Sequence, residues 1–164
     1  MAAVLANTHP DLYAAIGVHS GLPIGLASDV PTAFAAMRNG RSRGSVNAPN
    51  GATRRVPAIV FHGDKDTTVH PRNGHGVIEQ SLASNDVDAA AEMHTRVEQG
   101  IASGGRKYTR TVHTLPDGSV AAEHWTIEGA GHAWSGGDSA GSYADPLGPD
   151  ASAQMLRFFS ACTV

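Results

Sequence analysis

The sequence is poor in cysteine and in charge, and each shortage excludes a class of protein. Its single cysteine, Cys162, excludes an internal disulfide framework. Charged residues make up 16% of the chain and the formal net charge is −3, which points to no nucleic acid and no anionic membrane partner. No segment approaches the ~20 apolar residues of a membrane span, and the first ten residues lack the basic region of a signal peptide. A length of 164 residues fits one domain.

Glycine and proline are plentiful, at 19 and 9 residues, and they divide the chain into short elements. Apolar periodicity and end signals predict helices over 1–8, 31–37, 71–83 and 151–160, and strands over 13–18, 56–61, 107–115 and 120–127. A helical segment is also predicted over 88–97, and a solvated loop over 41–55. The last helix is expected to bury four apolar side chains, Met155, Leu156, Phe158 and Phe159. Alternating strands and helices with one late hairpin predict an α/β fold with a mostly parallel sheet.

Two acids follow the clearest buried strand of the sequence. The apolar run over residues 59–61 ends at His62-Gly63, and Asp64 and Asp66 come immediately after it. A parallel strand carries the residues beyond its carboxyl end to the edge of the sheet where α/β proteins place their sites. One of these acids can turn toward a histidine while the other caps the turn. His62 is expected to close a local hydrogen bond.

A second predicted strand ends in a loop that carries a histidine. His132 follows Gly129-Ala130-Gly131, and glycines there let the backbone turn sharply and expose an imidazole. Such a histidine can take a proton from a hydroxyl and return it to a leaving group if a carboxylate fixes its tautomer. His19, at the end of another predicted strand, is expected to line the same cleft. The sequence has no metal-ligand spacing of the H-x-x-x-H, H-E-x-x-H or Cys/His type, so we predict no metal and no other cofactor.

The serine that such a pair would activate is not evident. One G-x-S-x-G match occurs at residues 137–141, around Ser139. A nucleophile elbow needs a strand before the serine and a helix after it, and the α/β-hydrolase order is serine, acid, histidine. Ser139 has neither neighbouring element and follows His132, so we interpret it as a chance match. Ser20, or a route through water, is left as the fallback.

Five segments of the sequence match one family at the level of whole motifs. They are G-V-H-S-G at 17–21, F-H-G-D-K-D-T-T-V-H-P at 61–71, E-H-W at 123–125, G-A-G-H-A-W-S-G-G at 129–137 and G-S-Y-A-D-P-L-G-P-D-A-S at 141–152. They resemble the polyhydroxybutyrate (PHB) depolymerase-type esterases, relatives of feruloyl and acetylxylan esterases in the α/β-hydrolase superfamily. The resemblance implies that Asp66 orients His132, with Asp64 in a structural role. It also implies an ester substrate, polymeric or acyl, and a secreted, extracellular enzyme. Trp134 is expected to form an apolar wall of the substrate cleft beside His19, with plain packing as the alternative.

The resemblance further implies that the chain is the C-terminal part of such an enzyme. In the family, the elbow serine comes just before a helix that resembles residues 1–6. We therefore expect residues 1–164 to form a single incomplete α/β-hydrolase domain that lacks the N-terminal strands and the serine and is inactive alone. The 13–18 strand would then have an open edge, which favours self-association. Two alternatives stay open: a non-catalytic remnant or binding module of the same fold, and a related peptidase or dienelactone-hydrolase-like enzyme.

Overall fold

The computed structural model describes residues 1–40, 54–83 and 92–162, so most of the predicted 41–55 loop lies outside the described residues. The helices are α1 (Ala2–Thr8), α2 (Val30–Asn39), α3 (Arg72–Leu82) and α4 (Ala151–Ser160). The strands are β1 (Ile16–His19), β2 (Ala58–Gly63), β3 (His94–Ile101), β4 (Lys107–Thr114), β5 (Val120–Ile127), β6 (Trp134–Ser135) and β7 (Ala144–Asp145). The helices predicted over 1–8, 31–37, 71–83 and 151–160 are all present.

Five strands form one sheet in the order β1-β2-β5-β4-β3, and β6 and β7 form a small separate pair. β1, β2 and β5 run parallel, whereas β4 is antiparallel to both β5 and β3. The α/β class is confirmed, but the sheet is mixed rather than mostly parallel. His19 pairs with Phe61 and Gly63 with Ile127, so the carboxyl ends of the three parallel strands meet at one edge. The loops that follow these strands therefore lie next to one another.

Helices cover both faces of β2, which explains why this strand is buried along its whole length. On one face, Ile59 and Phe61 pack with Trp125 of β5 and with Met155 and Phe158 of α4. On the other face, the alternate residues of β2 pack against α1 and α3. Burying one such large apolar side chain contributes about 1.5–3 kcal/mol. This two-sided core fixes the positions of the loops at the carboxyl end of β2 and β5.

The prediction for the apolar face of α4 was half wrong. Met155 and Phe158 are buried, but Leu156 is 67% exposed and Phe159 is 36% exposed. Met155 and Phe159 lie over Gly17 of β1, where an added Cβ would come within 2.8 Å of the Met155 sulfur. Among the described residues β1 pairs with β2 alone, and its other edge is open. The partly exposed side chain of Phe159 thus lies over the edge strand of the sheet.

The helix predicted over 88–97 is wrong for the described part of that range, because residues 94–101 form β3. β3 pairs with β4 along eight residues, and Arg110 of β4 forms a salt bridge to Glu98 at 2.9 Å. Most β3 side chains are exposed. The strand therefore lacks the apolar alternation by which a half-buried strand is recognised. Pairing with β4, rather than a buried face, makes this segment a strand.

Candidate functional site

The loops after β2 and β5 are hydrogen bonded to each other. We call residues 64–69 the acid loop and residues 128–133 the histidine loop. The Gly129 N–H donates to Asp64 Oδ1 at 2.6 Å, and the Lys65 N–H donates to the Ala130 carbonyl at 3.0 Å. Gly63 allows this approach, because a Cβ there would lie 2.3 Å from the Ala130 oxygen. Asp64 thus has the structural position expected for it, and the two loops form one unit.

The side chain of Asp66, within the acid loop, is buried and accepts hydrogen bonds at both carboxylate oxygens. Its Oδ1 accepts from the Thr68 N–H at 2.9 Å and from the Val69 N–H at 2.8 Å. Its Oδ2 accepts from His132 Nδ1 at 2.8 Å. Burial alone raises the pKa of Asp66, but the hydrogen bonds from Val69, His132 and Thr68 outweigh it and hold the pKa below the ordinary value. Asp66 is therefore a carboxylate that faces an imidazole.

The tautomer of His132 follows from this contact. An ionised carboxylate only accepts hydrogen bonds, so Nδ1 of His132 must carry the proton. In a neutral ring this leaves a lone pair on Nε2. The side chain of His132 is 35% exposed, and none of its hydrogen bonds within the described ranges involves Nε2. The ring is oriented and held at one nitrogen and can accept a proton at the other.

His62 closes the local hydrogen bond expected of it. Its Nε2 donates to the Val69 carbonyl at 2.8 Å and lies 3.5 Å from Asp66 Oδ2. The ring is almost fully buried between β2 and α3. Burial is the main cause that lowers the pKa of His62, so the ring is neutral. His62 thus adjoins the Asp66–His132 pair without being hydrogen bonded to His132.

His19 and Trp134 lie together at the same edge of the sheet. The two rings stack at a centroid distance of 4.8 Å, and the indole N–H of Trp134 donates to Ser152 Oγ at 3.2 Å. The Ser135 N–H donates to His19 Nε2 at 3.0 Å, a contact that no sequence pattern predicted. Burial is the main cause that lowers the pKa of His19 to about 4; His62 and His132 add to this lowering, and Asp66 opposes it. Trp134 is 40% exposed. The four predicted site residues therefore share one edge.

Neither candidate serine is placed as a nucleophile by the described contacts. Ser139 lies in an exposed turn, where the Gly141 N–H donates to the Asp138 carbonyl. Ser20 has a φ of 49°, the positive value that a strained turn after a strand can impose. Its hydroxyl is 3.3 Å from His19 Nδ1. Because His19 accepts at Nε2, its Nδ1 carries the proton in the neutral ring and cannot take one from Ser20.

In the part of the chain that the structure describes, no group of three or more His, Cys, Asp or Glu side chains could hold a metal ion. No helix in those ranges has the length and apolar character that crossing a membrane requires.

Comparison with known proteins identifies the family. The family model described as "Esterase PHB depolymerase" matches residues 1–101, more than half of the chain and the part that contains Asp66. The chain belongs to the PHB depolymerase esterase family. It is also similar to the poly(3-hydroxyalkanoate) depolymerase C of Paucimonas lemoignei, with 28% identity over 142 residues, or 80% of this chain. The chain spans 32% of the length of that curated relative. The resemblance seen in the motifs is thus confirmed.

Proposed function

We propose that this PHB depolymerase-family chain supplies the acid and the histidine of a Ser-His-Asp triad in a carboxylic ester hydrolase. The observation that carries the proposal is the 2.8 Å contact between Asp66 Oδ2 and His132 Nδ1. It joins a buried carboxylate to a partly exposed imidazole at the ends of two adjacent parallel strands. The acid precedes the histidine along the chain, as in the α/β-hydrolase order.

The proposed reaction uses His132 first as a base and then as an acid. A serine Oγ attacks the ester carbonyl while its proton moves to His132 Nε2, and Asp66 stabilises the imidazolium that forms. His132 then gives this proton to the leaving alcohol, and an acyl-enzyme remains. Water attacks the acyl-enzyme by the same proton route, which releases the acid and restores the serine. Asp66 stays ionised throughout, in keeping with its lowered pKa.

The serine of the triad is proposed to lie outside these 164 residues. Residues 1–164 would then be a single incomplete α/β-hydrolase domain, with β1, β2 and β5 as the last parallel strands of a larger sheet. In support, the described serines at residues 20 and 139 are not placed as nucleophiles, and the chain covers 32% of the curated relative. By family resemblance the complete enzyme is secreted.

The substrate cleft is proposed to run beside Trp134. Its partly exposed indole is fixed by the stack on His19 and by the bond to Ser152, so it offers a rigid apolar wall next to His132. His19 would contribute through this stack, because its Nε2 is occupied by the Ser135 N–H. A polyester, whose ester groups alternate with apolar carbon segments, or an acyl ester with an apolar chain suits such a wall.

The open edge of β1 is proposed to pair with the same edge of a second chain when these 164 residues are isolated. Phe159 of α4 is 36% exposed and lies over Gly17 of β1, so it adds apolar surface beside that edge. We expect a dimer or larger species in size-exclusion chromatography, and we expect Phe159→Lys to shift it toward monomer. A monomer at all concentrations would contradict this assembly.

The function is tested by comparing two proteins, the 164-residue chain and the product of its complete reading frame. If a strand-G-x-S-x-G segment lies in frame upstream, the longer protein should hydrolyse p-nitrophenyl esters. The short chain should show no turnover. His132→Ala should abolish hydrolysis, whereas the matched control Ser139→Ala should leave it unchanged. Hydrolysis by the short chain that Ser139→Ala removes would contradict the assignment.

The same comparison decides between the proposal and its alternatives. An upstream stop codon or unrelated sequence would leave the Asp66–His132 pair without a serine and would make the chain a non-catalytic remnant or binding module. Activity on peptides or lactones but not on open-chain esters would favour the peptidase or dienelactone-hydrolase reading. The family match supports the esterase.

A further inference from the structure

A second histidine, His62, lies next to the Asp66–His132 pair. We propose that His62 is a positioning residue that holds Asp66 toward His132 by fixing the Val69 peptide of the acid loop. The inference rests on the proposed function only in that Asp66 and His132 form the working pair. His62 itself touches no reacting atom in this scheme.

The Val69 peptide is held on both sides. Its carbonyl accepts from His62 Nε2 at 2.8 Å, and its N–H donates to Asp66 Oδ1 at 2.8 Å. The imidazole therefore fixes the peptide plane whose N–H in turn fixes the carboxylate. With Oδ1 held by Val69 and Thr68, the other oxygen of Asp66 is left to His132. Loss of the His62 bond would free this peptide to rotate and release the carboxylate.

The Nε2–H of His62 also lies close to Asp66 Oδ2, the oxygen that accepts from His132. His62 Nε2 is 3.5 Å from Asp66 Oδ2, too long for a good hydrogen bond but close enough for its dipole to favour the charged carboxylate. His62 provides this dipole without a net charge. Its Nδ1 is buried with no hydrogen-bond partner among the described residues, and Gly74 of α3 lies against it. A second ring proton there would have no acceptor, so His62 does not compete with His132 for protons.

Plain packing between β2 and α3 would account for a ring at this position but not for its polar contact. A leucine could fill much of the volume, yet it would leave the buried Val69 carbonyl without a donor. Substitution of His62 by glutamine or asparagine separates the packing role from the hydrogen-bonding role. The side-chain nitrogen of glutamine reaches about as far as Nε2, whereas that of asparagine reaches only as far as Nδ1. Glutamine should therefore replace His62, and asparagine and leucine should not.

The test follows Asp66 and His132 by NMR in the protein from its full reading frame. In His62→Asn and His62→Leu, the carboxyl carbon of Asp66 should titrate at higher pH than in the wild type. The Nδ1 proton of His132 should exchange with water at least about tenfold faster, as expected when a hydrogen-bonded geometry is lost. His62→Gln should restore both values. Folded Asn and Leu variants with unchanged titration and exchange would overturn the proposal.

A wild-type measurement decides the matter if the Asn and Leu variants do not fold. Nitrogen-15 shifts report which ring nitrogen of His62 carries the proton. The proposal requires the Nε2–H tautomer, and an Nδ1–H tautomer would overturn it. A different result would contradict the proposed function. If Asp66 of the wild type titrates in its ordinary range and the His132 proton is not protected, Asp66 and His132 do not form a working pair.

Discussion

Two buried carboxylates in this molecule have opposite kinds of partner. Asp66 and Glu123 both have side chains with no solvent exposure. Asp66 faces the imidazole of His132, whereas Glu123 is bound by the guanidinium groups of Arg110 at 2.7 Å and Arg157 at 2.6 Å. Burial alone raises the pKa of both acids, and their hydrogen bonds outweigh it and lower the pKa in each case. Burial and a lowered pKa therefore do not distinguish the site from the scaffold.

The partner makes the difference. A guanidinium stays protonated at all relevant pH values, so the bonds of Glu123 are static. They connect β5 to Arg110 of β4 and to Arg157 of α4, and the Trp125 indole N–H is a third partner at 3.2 Å. An imidazole can gain and lose a proton near neutral pH, so a carboxylate bound to it can take part in proton transfer. We expect Glu123 to govern stability and Asp66 to govern activity.

The largest expected effect is on turnover. Asp66→Asn in the complete enzyme should lower kcat by about 10⁴-fold, because the amide would favour the wrong tautomer of His132. The asparagine oxygen can still accept from Thr68 and Val69, so the fold should persist. Ester hydrolysis and circular dichroism check this, with Asp64→Asn as the matched control. Equal losses in the two variants would remove the distinction between these acids.

The next largest effect is on stability. Glu123→Gln should lower the free energy of unfolding by about 3 kcal/mol, because two arginines lose a buried counter-charge. The matched control is Glu98→Gln, which removes the partly exposed partner of Arg110 and should cost less than about 1 kcal/mol. Urea titrations of both variants provide the comparison. A Glu123 effect no larger than that of Glu98 would show that the buried network is not a stabilising anchor.

As the pH falls, protonation linked to the buried histidines should lower the free energy of unfolding before protonation of either carboxylate does. The pKa of His124 is lowered to about 3, first by burial and then by His75, and that of His19 to about 4. Below pH ~6.5 the unfolded chain binds protons that the folded chain does not, so stability falls as the pH falls toward 4. The slope is up to about 1.4 kcal/mol per pH unit for each histidine.

Urea titrations between pH 7 and pH 4 measure this slope. His124→Gln should make this slope smaller, whereas the exposed control His9→Gln should leave it unchanged. The two carboxylates have lowered pKa values, so their contribution is present above the unfolded-state pKa and is lost only as the pH falls through the lower folded value. Stability that stays flat down to pH 4 and then falls would assign the acid sensitivity to the carboxylates instead.

The sequence predicted the elements that are buried better than those that are exposed. The strand over 120–127 has the predicted bounds, and β2 is displaced by two residues because it pairs with β5 as far as Gly63. An apolar run marks such strands directly. β3 was missed because its side chains are exposed and its pairing with β4 leaves no apolar pattern. Leu156 and Phe159 were expected to be buried because the apolar residues of α4 do not show by themselves which side of the helix packs on the sheet.

Within the site, the sequence indicated residues but not their contacts. Asp66 and His132 are 66 positions apart, and their pairing was predicted from motif resemblance rather than from spacing. The bond from Gly129 to Asp64 joins two loops, and the bond from Ser135 to His19 joins β6 to β1, so both depend on how distant segments meet in the fold. No local pattern encodes them. The pairing of Arg157 with Glu123 was missed for the same reason, since it joins a helix and a strand far apart in the chain.

The protonation site of His132 tests the central claim most directly. Nitrogen-15 NMR at pH 7 should show its proton on Nδ1 in the wild type, and Asp66→Asn should move that proton to Nε2. This result would mean that the carboxylate sets the tautomer a serine requires. A wild-type His132 with the proton on Nε2, or one unaffected by Asp66→Asn, would contradict the account.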